Sequence, residues 1–192
     1  HGAEVVSYFR WRQAPFAQEQ YHAGLLRPDN APAPALAEAA RVAAELPEMP
    51  QVGLCRGEAA LVFDYAAAWA WEVQPQGRGC DYFRLVFEVY RGLRSLGLSV
   101  DILPPDTDDL DGYGVVLVPG LVTLPESLKR ALSGTRAQVI LGPRTNAKTP
   151  ALAIPVPLPP ALPGLDVTVA RVETLRPDMP VAVEGGAGHV TL

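Results

Sequence analysis

Four short apolar runs set the strongest limit on what this chain can fold into. Ala59-Ala60-Leu61-Val62-Phe63-Asp64, Ser99–Leu103, Gly114–Val118 and Gln138–Leu141 are each long enough for a buried strand and too short for a buried helix. Between them lie segments of helical period. Asp81–Leu96 places Phe83, Val86, Phe87, Tyr90 and Leu93 at helical spacing, with Gly97 where a helix C-cap belongs, and Pro125–Leu132 reads as a shorter helix. Buried strands alternating with helices specify a parallel sheet covered on both faces, because parallel strands need helical crossovers. The expected fold class is therefore α/β and flavodoxin-like. A Pro-rich loop at 155–163 follows, and 166–173, 181–184 and 189–192 read as further strands.

The first 46 residues are organised differently. Residues 3–10 carry Val5, Val6, Tyr8 and Phe9 and read as one buried strand. A polar and aromatic loop follows, and then Ala35–Leu46, a helix by propensity with Leu36, Ala39, Ala40, Ala43 and Leu46 on one face. One strand, one loop and one helix cannot enclose a core, so both apolar faces are expected to be docked on something. The expected division is 1–46 as one βα unit, 47–57 as a linker rich in Pro and Gly, and the remainder as the main domain.

Charge and cysteine content narrow the chemistry. A net charge of -5 argues against nucleic acid, which requires a basic surface. No run reaches the roughly 18 to 20 apolar residues of a membrane span. Cys55 and Cys80 are too few for a disulfide framework or a zinc cluster and read as reduced thiols of a cytoplasmic protein. No metal and no cofactor is expected, since neither a dinucleotide nor a P-loop glycine pattern follows a strand.

Ligands of open parallel sheets sit at the carboxyl ends of the strands. There Asp64 reads chiefly as a cap for the next turn. The strand Gln138–Leu141 ends in Gly142-Pro143-Arg144, with no cysteine or serine nucleophile. Gly185-Gly186-Ala187-Gly188 reads as a hairpin turn. The stretch AWAWEVQPQG, with Trp69, Trp71, Gln74 and Gln76, reads either as a loop that anchors on its own domain or a partner, or as a stacking surface for a sugar. In the first segment Glu19 and His22 stand three apart, so one helical turn would aim both the same way beside Trp11 and Phe16. A carboxylate and an imidazole against an apolar wall suit the reading of hydroxyl groups.

The strings VVSYFRWRQAPFAQEQYHAGLL, ALVFDYAAAWAWEVQPQG, YGVVLVPGLVTLPESL and VILGPRTNAKTP, in this order, resemble the family 42 glycoside hydrolases, which are β-galactosidases. The resemblance implies that 1–46 is the eighth strand and helix of a TIM barrel. It implies that about 58–184 is a trimerisation domain similar to class I amidotransferases but without their nucleophile, and that 185–192 is the start of a C-terminal β region. Active sites of such barrels lie at the carboxyl ends of the strands, where Trp11 to His22 would fall. By the same resemblance Glu19 and His22 are substrate-binding residues that hold galactose hydroxyls.

Both catalytic glutamates of the family lie on earlier strands, so no residue of this chain is expected to be catalytic, and the chain alone is expected to be inactive. The family's zinc-binding cysteines do not match Cys55 or Cys80. Where the family commonly has a glutamate, this chain reads Ala66-Ala67-Ala68. The implied partners are a terminal β-D-galactoside in the intact enzyme and two further copies in a homotrimer. The alternative is a non-catalytic flavodoxin-like or amidotransferase-like module for assembly or binding.

Overall fold

The computed structural model describes residues 5–49, 53, 55–174, 181–182 and 189–190. The chain divides into two compact units, His1–Cys55 and Arg56–Leu192.

Among its described residues the first unit contains one helix, α1 (Pro34–Glu45), followed by a short 3-10 turn at Leu46–Glu48. Proline at the first helical position starts α1 without loss, because that N–H has no partner within a helix. Residues 5–10 do not form the expected strand. Only isolated bridges occur, Arg12 with Leu26 and Leu26 with Pro32. A strand exists through the hydrogen bonds of its neighbours, and among the described residues no extended segment runs beside 5–9. Val5, Val6, Tyr8 and Phe9 are accordingly exposed. No α1 residue is buried, and only Leu36 and Ala39 of the expected apolar face are half-covered.

The second unit has the architecture that its pattern dictates. Its elements are β1 (Ala59–Val62), α2 (Tyr65–Val73), α3 (Tyr82–Ser95), β2 (Val100–Leu103), β3 (Val115–Val118), α4 (Glu126–Gly134) and β4 (Gln138–Leu141). The four strands form one parallel sheet in the order β2-β1-β3-β4. Ala59 pairs with Val100 on one side and Val115 on the other, and Val115 pairs in turn with Gln138. This is the flavodoxin-like order, flanked by helices. Every residue of β1 is buried, as its unbroken apolar run requires, whereas β2 and β4 at the sheet edges are only partly covered.

α3 shows how sequence sets the helix ends. The Asp81 carboxylate accepts the Arg84 backbone N–H and caps the start. At the other end Gly97 adopts φ +82, the Gly97 N–H donates to the Arg94 carbonyl and the Leu98 N–H to the Leu93 carbonyl. That pair of bonds is a Schellman closure, whose left-handed residue favours glycine. Tyr82, Val86 and Leu93 form the buried face of α3, and Leu128 and Leu132 that of α4.

The entrance to the sheet is clamped by polar contacts. The Asp101 carboxylate accepts the Gly57 N–H and the Tyr113 hydroxyl, while Arg56 donates to Asp109 and to the Asp111 carbonyl.

Two further expectations fail here, and a third is met in part. AWAWEVQPQG is not a loop: its first half lies in α2, which begins at Tyr65 because Asp64 caps it. Residues 166–173 contain only the Pro160–Thr168 bridge, so no strand forms there. Of the last two expected strands, Val181–Ala182 (β5) and His189–Val190 (β6) pair antiparallel. Gly185 to Gly188, expected to be their turn, lies outside the described residues.

Candidate functional site

Two places deserve comparison as sites: the switch point of the sheet, where α/β proteins bind ligands, and the loop of the first unit.

At the switch point between β1 and β3 the crevice is filled by the protein itself. Trp71, on the inner face of α2, is buried and donates its indole N–H to the Gly120 carbonyl at 3.0 Å. Gly120 has φ +75, and a Cβ there would lie 2.8 Å from the Trp71 ring. The indole and the backbone thus occupy the space a ligand would need. Asp64, the polar tip of β1, accepts the Ala66 N–H as a helix cap, and its own N–H donates to the Tyr82 hydroxyl. Burial pushes the Tyr82 phenol up to about 12, so it stays a neutral donor and acceptor through the whole working range. Trp71 is therefore unavailable as a sugar platform, while Trp69 on the opposite side of α2 is exposed.

After β4, at the elbow where an amidotransferase carries its nucleophile, stands Arg144. Its backbone is left-handed, φ +63, and its guanidinium lies 4.7 Å from the Trp71 ring centroid. Desolvation lowers its pKa from the ordinary arginine value. Nη1 is buried and has no hydrogen-bond partner among the described residues. An arginine here supplies neither a nucleophile nor a base. The sequence showed Gly142-Pro143-Arg144 as a strand end without a cysteine or serine nucleophile, but not the stacking of Arg144 on Trp71, which no spacing rule reveals.

The first unit builds its loop from backbone contacts. The Leu25 N–H donates to the Arg10 carbonyl, Leu26 to Trp11, and Gln13 to Leu26, so residues 10–13 lie against 24–26. Gly24 permits this approach: a Cβ would come within 2.5 Å of the Gln13 nitrogen. The intervening residues 14–23 form a compact loop with its ends together. The Gln13 side chain donates to the Gln20 carbonyl across it at 2.7 Å.

Within that loop Glu19 and His22 share one turn, closed by the His22 N–H donating to the Glu19 carbonyl at 3.3 Å, while their side chains meet different partners. The Glu19 carboxylate faces the Arg10 guanidinium at 3.5 Å, and the His22 ring meets Phe9 edge-on with centroids 5.8 Å apart. An open groove of about 590 Å³ runs along this loop, lined among others by Arg10, Arg12, Phe16, Gln18 and Glu19. The groove combines a carboxylate acceptor, guanidinium and amide donors, and an apolar wall. Such a set can bind a polyhydroxylated ligand. Glu19 is held beside a cation, so it suits accepting hydrogen bonds better than nucleophilic attack. Among the described residues no group of three or more His, Cys, Asp or Glu side chains is placed to hold a metal ion.

Comparison with known proteins gives the family context. A family model described as the β-galactosidase trimerisation domain matches residues 57–191, and one described as β-galactosidase matches residues 1–49. A β-galactosidase from Thermus thermophilus is 49% identical across the whole chain, which covers 30% of that protein. One from Halorubrum lacusprofundi is 39% identical over 77% of the chain and 21% of its own length. In three dimensions, the crystal structure of a β-galactosidase from the psychrophilic Marinomonas ef1 superposes with a TM-score of 0.81. It is 41% identical, over 100% of this chain and 31% of that one. The chain thus spans about 30% of the length of the curated relatives that match it in full.

Proposed function

Because this chain belongs to the family 42 glycoside hydrolases, we propose that it is the stretch of a β-galactosidase that joins the end of the catalytic barrel to the trimerisation domain. The observation that carries this reading is the order of the two family matches, 1–49 and then 57–191, on a chain that is 49% identical throughout to a named β-galactosidase. The whole enzyme would hydrolyse terminal β-D-galactosides. The Arg56–Leu192 unit would assemble three copies, and the cytoplasm would be its place of action, in keeping with the free Cys55 and Cys80.

In this reading Glu19 and His22 orient the galactosyl unit. The Glu19 carboxylate, beside the Arg10 guanidinium, accepts hydrogen bonds from two sugar hydroxyls, and His22 reads a neighbouring hydroxyl from the same turn. Cleavage with retention uses an acid/base carboxylate and a nucleophilic carboxylate about 5–5.5 Å apart. Glu19 is assigned to neither role.

The test is steady-state kinetics on a nitrophenyl β-galactoside with the full-length enzyme. Glu19→Ala should raise KM and lower kcat together, cutting kcat/KM by about a hundredfold, since hydrogen bonds to a charged group are lost in the ground state and more strongly in the transition state. Wild-type kinetics in that variant would remove Glu19 from the site.

A further inference from the structure

We infer that the exposed aromatic face shared by α2 and α3 is the surface through which one copy of this domain meets the next. The inference rests on the proposed trimeric assembly and adds where on the domain the contact is made.

Glu72 is the only charged residue of α2, Tyr65–Val73. One face, Ala67, Ala68 and Trp71, packs into the core. A second face holds Tyr65, Trp69 and Val73 at successive i, i+4 positions, and these are 61%, 63% and 71% exposed. A helix that is apolar on every side is ordinarily buried on every side. Here the sheet covers only half of it.

The strip continues onto α3. Phe83 and Phe87, one turn apart, are 47% and 55% exposed. Tyr65 and Phe83 have ring centroids 6.1 Å apart, and Phe63 lies 4.9 Å from Tyr65 and 5.7 Å from Phe83, so aromatic contacts join the two helices at this end. At its margin Arg91 lies over the Phe87 ring and pairs with Glu88. An aromatic centre with a charged rim is the usual anatomy of a protein interface. Four rings of about 200 Å² each, somewhat over half exposed, offer roughly 450 Å², against about 800 Å² per partner for a stable interface. The strip therefore accounts for the centre of such a contact and leaves room for a rim.

The occupant is a second copy of this chain. The strip lies wholly inside residues 57–191, the segment matched as a trimerisation domain. A closed three-fold ring is built from head-to-tail contacts, so the strip meets a different surface of its neighbour and not its own equivalent. A single substitution consequently weakens all three contacts at once.

The test uses the full-length enzyme. Sedimentation equilibrium of Trp69→Glu should show a dissociation constant raised at least about thirtyfold relative to wild type. Its side chain projects away from the domain core, so the melting transition of the monomer should be retained. Hydroxyl-radical labelling of the unmutated protein gives an independent reading. Tyr65, Trp69 and Phe83 should oxidise at least about fivefold more slowly in the trimer than after dilution to monomers, as for residues at the dry centre of a contact.

A Trp69→Glu variant that stays trimeric, or an unmutated protein whose Trp69 is equally reactive in trimer and monomer, overturns the assignment and leaves the trimeric reading intact. A wild-type enzyme that is monomeric at every concentration overturns the trimeric reading itself. Protection that persists in the monomer, or that depends on added galactose and not on protein concentration, assigns the strip to its own chain or to a sugar and also overturns the inference.

Discussion

The two units, similar in apolar character, hold themselves together by opposite means. In Arg56–Leu192 four short strands, all fully or largely apolar, find one another within the same segment, and β1 loses all solvent contact. In His1–Cys55 the only buried residue among those described is Gly24, and the geometry depends on backbone bonds between 10–13 and 24–26. Hydrophobic pattern becomes structure where the complementary surface lies in the same unit. Elsewhere the same pattern remains an exposed apolar face, as with Val5, Val6 and Phe9. The lesson is that periodicity reports what a segment is able to bury, and the presence of a covering partner is a separate matter.

The largest test of that contrast is paired truncation. Leu61→Ala removes a fully buried side chain between two neighbouring strands and should cost about 2–5 kcal/mol in urea unfolding of the 192-residue chain. Leu36→Ala, on the half-covered face of α1, should stay within about 0.5 kcal/mol. Equal costs would break the comparison by giving the first unit a core.

A smaller effect sharpens it from the side of specific polar contacts. Trp71→Phe keeps an aromatic ring but leaves the Gly120 carbonyl without its donor, at an expected cost of about 1–2 kcal/mol. The galactose-reading kinetics should change little if Trp71 only fills the switch point. A large loss of kcat/KM with unchanged stability would mean that the residue acts in binding.

The smallest effect is in pH. Hydrogen bonds from Arg56 and the Asp111 N–H hold the Asp109 carboxyl below its ordinary value. Backbone N–H groups at its own position and at Ser99 do the same for Glu58. For a carboxyl whose folded pKa is depressed, the stabilisation is present above the unfolded value and is lost as pH falls through the folded one. Stability of the second unit should therefore be flat from pH 7 to about 5 and decline below about 4, near the ordinary carboxylate range. Asp109→Asn should lower the plateau slightly and flatten the acid limb, which urea midpoints across pH would reveal. An unchanged acid limb would show that the Arg56–Asp109 pair contributes nothing, the common result for an exposed ion pair.

Much of the fold was legible because its information is local. The runs at 59–64, 99–103, 114–118 and 138–141 are too apolar and too short for anything but buried strands, and all four form the sheet. Asp81 and Gly97 mark the ends of α3 through a cap and a left-handed turn that depend on neighbouring residues alone. The helix at Tyr65 was missed because its apolar residues fall on both faces, which erases the helical period; the cap at Asp64 was the one signal available. The strands expected at 3–10 and 166–173 had the right composition, yet composition supplies no neighbour. At the site, the spacing of Glu19 and His22 was readable, whereas Arg10 as the carboxylate's companion was not, since that pairing depends on how the loop closes.

Sequence by itself determined the sheet-forming segments, the ends of α3 and the family, because each depends on short-range pattern or on motifs kept in order. The tertiary structure alone decided that Trp71 fills the switch point and Trp69 faces outward, two residues apart on one helix. A helix turns by about 100° per residue, and only the position of the sheet selects which side is inward.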